Sequence, residues 1–250
     1  MNCVKTFRYR TGSTRVKPRE SAEEDARAMS QVDVWEQGKR PLTIMVKAAM
    51  AASGVGMALW VTLHMAGNLL WLFGPDLMNL YGGILHGSGV LWPVRLLLVA
   101  GAGVHVIGAF LTSRQGMRAR PIRYKHGLRP HASSVASRSM RISGVLLLAF
   151  MVYHVLSVYG VGHPAYVPEA FHHNLSELLA LPLDAILLAA ASGFLCLHLS
   201  HGLASAWTSV GLISARREAQ LRRGLAVWTL LVTLGFLAPP LVRWLQVASY

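Results

Sequence analysis

The chain has 250 residues, 53% apolar and only 14% charged, with a formal net charge of +13, and this composition excludes an ordinary water-soluble domain. A basic balance of this size would suggest nucleic acid if it covered a folded surface, but the Lys and Arg residues are segregated. Ten precede Ala48, eight lie from Arg114 to Arg141 and four from Arg216 to Arg223, leaving only Arg95 and Arg243 elsewhere, so no nucleic-acid partner is needed to explain them. Two cysteines, Cys3 and Cys196, cannot make a disulfide framework or a four-thiolate metal site.

Residues 1–40 are polar and rich in Arg, Ser and Glu, and they lack the apolar core of a secretory signal. They read as a disordered basic cytoplasmic tail, and Met29 is an alternative start. The remainder, 41–250, reads as one all-α membrane domain of five transmembrane helices, over about 48–73, 91–113, 142–159, 183–211 and 225–247. Each apolar run is long enough to cross about 30 Å of hydrocarbon. The first connection, GPDLMNLYGGILHGSG, is too rich in Gly and Pro for another crossing but allows a short interfacial helix. A basic segment including Ala119 to Tyr124 joins the second and third spans and suits anionic headgroups or an acidic protein surface. The loop after span three carries Tyr166 and Phe171 and is expected at the interface. Loops 74–90 and 160–182 contain no Lys or Arg, so the positive-inside rule puts the N-terminus inside and the C-terminus outside, as five crossings require.

The histidines carry the chemistry. His64, His105 and His154 fall in the first three spans, His198 and His201 in the fourth, and the fifth has none. An imidazole in hydrocarbon costs several kcal/mol without a partner, so histidines on four successive helices demand an explanation. Counting about 1.5 Å per residue, His64 lies about 25 Å and His154 about 20 Å from the inner side, His105 about 13 Å from it, and His201 about 25 Å from the outer side. Two couples result, His64 with His154 in the outer half and His105 with His201 in the inner half. Neutral imidazoles facing each other at one depth can ligate both faces of a porphyrin iron, giving two b-type haems suited to electron transfer. His198 shares a face with His201 at i and i+3 and is the alternative inner ligand. His86, His163, His172 and His173 in the outer loops, and His126 and His131 in the inner loop, read as solvated interfacial residues.

Four stretches, in order from about Ser53, resemble the di-haem cytochrome b membrane-anchor subunit of succinate dehydrogenase and fumarate reductase, or complex II. Span one, SGVGMALWVTLHMAGNLLWLFGPDLMNLY, resembles that family's histidine followed by Gly-Asn-Leu and then Asn-x-Tyr. The run HVIGAFLTSRQGMRARPIRY is similar to its ligand histidine with a basic Ala-Arg-Pro turn. The segments RISGVLLLAFMVYHVL and LHLSHGLASAWTSVG are similar to its third and fourth ligand helices. The resemblance implies that His64, His105, His154 and His201 are the axial ligands, with the inner haem on His105 and His201. It implies an iron-sulfur subunit, itself carrying a flavoprotein, docked on the cytoplasmic face of a bacterial inner membrane. Menaquinone or another quinone would react near the outer haem, with Asn79, Tyr81 and His86 as candidate contacts; these three would otherwise cap and anchor an interfacial turn. Asp76 lies nearby as a possible proton-exchanging group. Arg95 either pairs with an outer-haem propionate or snorkels to headgroups.

Two other readings stay open at this level. One is a di-haem cytochrome b serving a different membrane dehydrogenase; the other is a haem-free transporter or anchor whose histidines relay protons.

Overall fold

In the computed structural model the backbone is described for residues 18–118, 133–209 and 215–248, and side chains for 44–116, 139–207 and 217–246. The basic connection 119–124, His126, His131 and Cys3 lie outside these residues. Two units are distinguished, 1–45 and 46–250, and they are taken separately. In the first unit helix runs from Pro18. Residues Ala22 to Ala28 are mostly Ala, Glu and Arg, whose side chains lose little freedom in a helix.

The described elements are all helical: α1 (Pro18–Leu69), α2 (Pro75–Gly87), α3 (Leu91–Arg118), α4 (Ser133–Val158), α5 (Phe171–Ala180), α6 (Pro182–Ser209) and α7 (Ala215–Ala248), with a single 3-10 turn at Leu70–Phe73. Five stretches are long and apolar enough to cross a membrane: Ile44–Phe73, Leu91–Gly116, Ser139–Val158, Pro182–Trp207 and Arg217–Gln246. They coincide with the five runs read from the sequence. On α3, Leu96, Leu97 and Val99 are 68%, 73% and 74% exposed, a surface suited to lipid or to another apolar surface rather than to water.

Between the helices the buried groups are small. Ala58 on α1 packs with Leu199 and Leu203 on α6, and Val61, Leu195, Leu225 and Trp228 close around them. Thr229, Thr233 and Ser192 are buried and return their hydroxyls to the carbonyls of Leu225, Thr229 and Leu188, four residues back. A buried hydroxyl satisfied on its own helix leaves the neighbouring helix free to approach.

Two short helices cap one end of the bundle. Gly74, at φ +99°, breaks the chain out of the 3-10 turn in a conformation that a side chain would strain, and Pro75 then starts α2 where a missing N–H costs nothing. α2 and α5 meet there: the Asn79 side-chain oxygen Oδ1 accepts from the His172 backbone N–H at 3.0 Å, and the Phe171 ring lies against Gly82. Trp71, Met78 and Leu179 form the core of this cap, with Phe171, Leu175, Leu188 and Val242 around them.

A Cβ added at Gly82 would overlap the Phe171 ring. Gly82→Ala should therefore destabilise the bundle by about 1–3 kcal/mol, seen as a lower thermal unfolding midpoint in detergent. The double variant with Phe171→Ala should recover part of that loss, whereas two independent losses that simply add would contradict this packing.

Candidate functional site: two histidine couples in the bundle

α1 and α4 each place one histidine near the end that α2 and α5 cap. The His64 and His154 rings face each other at a centroid separation of 6.0 Å and an interplanar angle of 75°. Trp60 stacks on His64 one turn back at 6.3 Å, Phe236 of α7 approaches it at 6.1 Å, and Phe150 stacks on His154 at 5.5 Å. These aromatic walls exclude water from the couple and fix the ring planes.

The second couple lies on two other helices, further from the capped end. His105 of α3 meets His198 of α6, with ring centroids 6.1 Å apart and planes at 68°. Gly54 on α1 backs His105, since a Cβ there would lie 2.9 Å from the His105 Cε1 atom, and Gly144 on α4 backs His198, where the same construction gives 3.3 Å. Gly54 to His64 on α1 and Gly144 to His154 on α4 are both ten-residue intervals. Each corresponds to about 15 Å along the axis, so both helices report the same spacing between the couples.

The ring that meets His105 is thus His198, where the sequence reading favoured His201 and kept His198 as the alternative. His201 lies one turn further along α6 and directs Nδ1 to its own Leu197 carbonyl at 3.0 Å. Residues three apart on a helix share a broad face but differ by about 60° in direction and about 4.5 Å in height. Depth counting cannot resolve that difference; the rotation of α6 against α4 and α7 does.

Hydrogen bonds set which nitrogen of each ring is free. His105 Nδ1–H donates to the Met50 carbonyl at 3.0 Å. Ser143 donates its hydroxyl hydrogen to the Met140 carbonyl at 3.2 Å, so its oxygen is left to accept from His198 Nδ1–H at 3.3 Å. Both rings of this couple then carry their proton on Nδ1 and keep the Nε2 lone pair. In the other couple the Asn68 amide donates to His64 Nε2 at 3.2 Å, which again marks Nε2 as the unprotonated nitrogen. A metal at that position would displace Asn68 from it.

These features fit a haem. Two metal–nitrogen bonds of about 2 Å, with about 1.1 Å from each nitrogen to its ring centre, separate imidazole centroids by about 6 Å, and the couples stand at 6.0 and 6.1 Å. No group of three or more His, Cys, Asp or Glu converges among the described residues. Two protein ligands suit a metal whose remaining positions are supplied by a macrocycle.

The other sequence candidates sit on the cap. Asn79 is engaged by the His172 N–H, the Tyr81 ring lies against Gly67 of α1, and exposed His86 bonds the Gly82 carbonyl at 2.9 Å beside Phe171. Arg95 spreads its guanidinium over Trp92 at 5.3 Å and Tyr159 at 5.9 Å. Two histidines expected to be solvated are not. His172 stacks on Trp71 at 5.6 Å, and the His163 side chain, 14% exposed, stands 4.0 Å from the Asp184 carboxylate, because α5 and the preceding loop fold inward over the bundle. Sequence reading also missed Asp184, a buried carboxylate at the start of α6 that accepts from the Tyr153 hydroxyl. An acidic residue two positions into an apolar run was the available signal.

Asp184→Ala would remove the carboxylate that accepts from the Tyr153 hydroxyl and that His163 approaches. A loss of about 1–3 kcal/mol in stability is expected, and Asp184→Asn, which keeps an acceptor, should lose less. Equal thermal midpoints for the two variants would contradict this.

Comparison with known proteins matches residues 118–238, which include His154, His198 and His201, to the model of the succinate dehydrogenase/fumarate reductase transmembrane subunit family. No curated protein and no solved structure matches the chain. Over those residues the chain is similar to the succinate dehydrogenase/fumarate reductase transmembrane subunit family, the membrane part of an enzyme complex.

Proposed function

We propose that this chain is the di-haem b anchor of its complex, carrying electrons from an iron-sulfur subunit on the cytoplasmic face to menaquinone or another quinone at the opposite face. The reading is carried by one observation: two imidazole couples, each spaced at about the span of a bis-histidine iron and stacked ten residues apart along α1 and α4. In this proposal His64 and His154 hold the outer haem, and His105 and His198 the inner. When bound, such haems supply one-electron carriers whose potentials are tuned by axial ligands and the hydrogen bonds behind them.

The residues of this chain do the positioning. Met50 and Ser143 keep the Nδ1 protons of His105 and His198, so that each Nε2 lone pair points away from the helix that orients it. Gly54 and Gly144 keep the space beside those rings open. Trp60, Phe150 and Phe236 screen the other couple from water. In this proposal the basic segments lie inside, at the inner membrane of a bacterium, where they face the iron-sulfur subunit with its flavoprotein and the anionic lipids. Asn79, Tyr81 and His86, on the α2 cap, are the proposed quinone contacts.

The test is a reduced-minus-oxidised spectrum of the purified complex. A b-type α-band at two haems per chain is expected, and colourless, folded protein made with ample haem would end the proposal. His64→Ala and His154→Ala should each lose the outer haem alone, and His105→Ala and His198→Ala the inner alone. His201→Ala should keep both; loss of the inner haem in that variant, with its retention in His198→Ala, would return the ligand to His201.

A further inference from the structure

Only two basic residues lie away from the three charged clusters, Arg95 and Arg243. Arg95 is accounted for by the Trp92 and Tyr159 rings. Arg243 differs: its Nε is buried and has no hydrogen-bond partner among the described residues. A guanidinium N–H withdrawn from water without an acceptor is strongly unfavourable, so the acceptor has to come from a group other than these side chains and carbonyls.

Its position says which group. On α7, Gly235 packs against Met65 and Phe236 against His64. Arg243 is seven residues beyond Phe236, which is two helical turns, nearly the same face and about 10 Å closer to the capped end. Helix α7 continues through Pro239 and Pro240, and Val242 packs against the cap core of Trp71, Met78 and Leu179, of which Trp71 is seven residues beyond His64. The Trp71 indole N–H is already given to Ser176 at 2.8 Å. Half-buried Arg243 thus holds a buried Nε–H without an acceptor, two turns beyond Phe236 toward the capped end.

We propose that Arg243 binds a propionate carboxylate of the haem held by His64 and His154, and thereby raises that haem's potential relative to the haem on His105 and His198. This rests on the di-haem reading. A carboxylate meets the planar guanidinium fork with charge-assisted hydrogen bonds, and the fixed positive charge favours the reduced iron, which carries one positive charge less. A lipid phosphate could also satisfy Nε, but it would leave the two haems without this difference.

Redox titration of the purified complex, followed at the α-band, distinguishes these. At the ambient potential where the outer haem of the unaltered protein is half reduced, R243Q should lower its ratio of reduced to oxidised form about tenfold, equivalent to about 59 mV for one electron. The inner haem should not move, and R243K should recover most of the effect. Selective loss of the outer haem in R243Q, with retention in R243K, would support the same contact. Unchanged outer-haem titration in R243Q, as a lipid phosphate predicts, would overturn it, as would equal shifts of both haems. Failure of both variants to accumulate as a stable complex would assign Arg243 to folding and overturn it too. Absence of haem from the unaltered protein is a separate outcome and would fail the di-haem reading instead.

Discussion

An imidazole inside hydrocarbon must find a partner, and that requirement organises the bundle. Water is not available to satisfy ring nitrogens at the depth of His105 or His154, so each ring has to be met by another group at its own height. α1 with α4, and α3 with α6, meet that demand by opposing histidines across the interior. Four helices are thereby held in a fixed vertical register, while α7 contributes Phe236 and closes the wall.

Facing rings alone would not make a metal site, because each ring must also present the correct nitrogen. The couple on α3 and α6 is supported on both sides by hydrogen bonds that claim Nδ1, one from a backbone carbonyl and one from a serine whose own hydrogen is committed elsewhere. The couple on α1 and α4 is bounded by aromatic rings, with a single amide donor at His64. Such unlike surroundings give chemically identical ligands different electrostatic settings, and under the proposed function that difference would separate the potentials of the two haems.

The cap formed by α2 and α5 connects to the couple beneath it through shared residues. Trp71 belongs to the cap core, stacks on His172 and bonds Ser176, while lying seven residues beyond His64 on the same chain. Tyr153, next to His154, reaches Asp184 at the start of α6. The cap and the upper couple are thus joined by two short stretches of chain.

The five crossings were legible in the sequence because crossing a membrane is decided by length and composition, which are local properties. Depth was legible too, since a helix advances by a constant rise, and this suffices to match His64 with His154 by height. What the linear chain could not show is direction around each helix axis. His198 and His201 differ by nearly one turn and about 60°, and the packing of α6 against α4 and α7 turns His198 to His105. The surroundings of Asp184, His172 and Arg243 were not legible for the same reason: whether a polar side chain in an apolar segment points to lipid, to a neighbour or into the bundle depends on the helices packed around it, and only the tertiary structure sets that rotation.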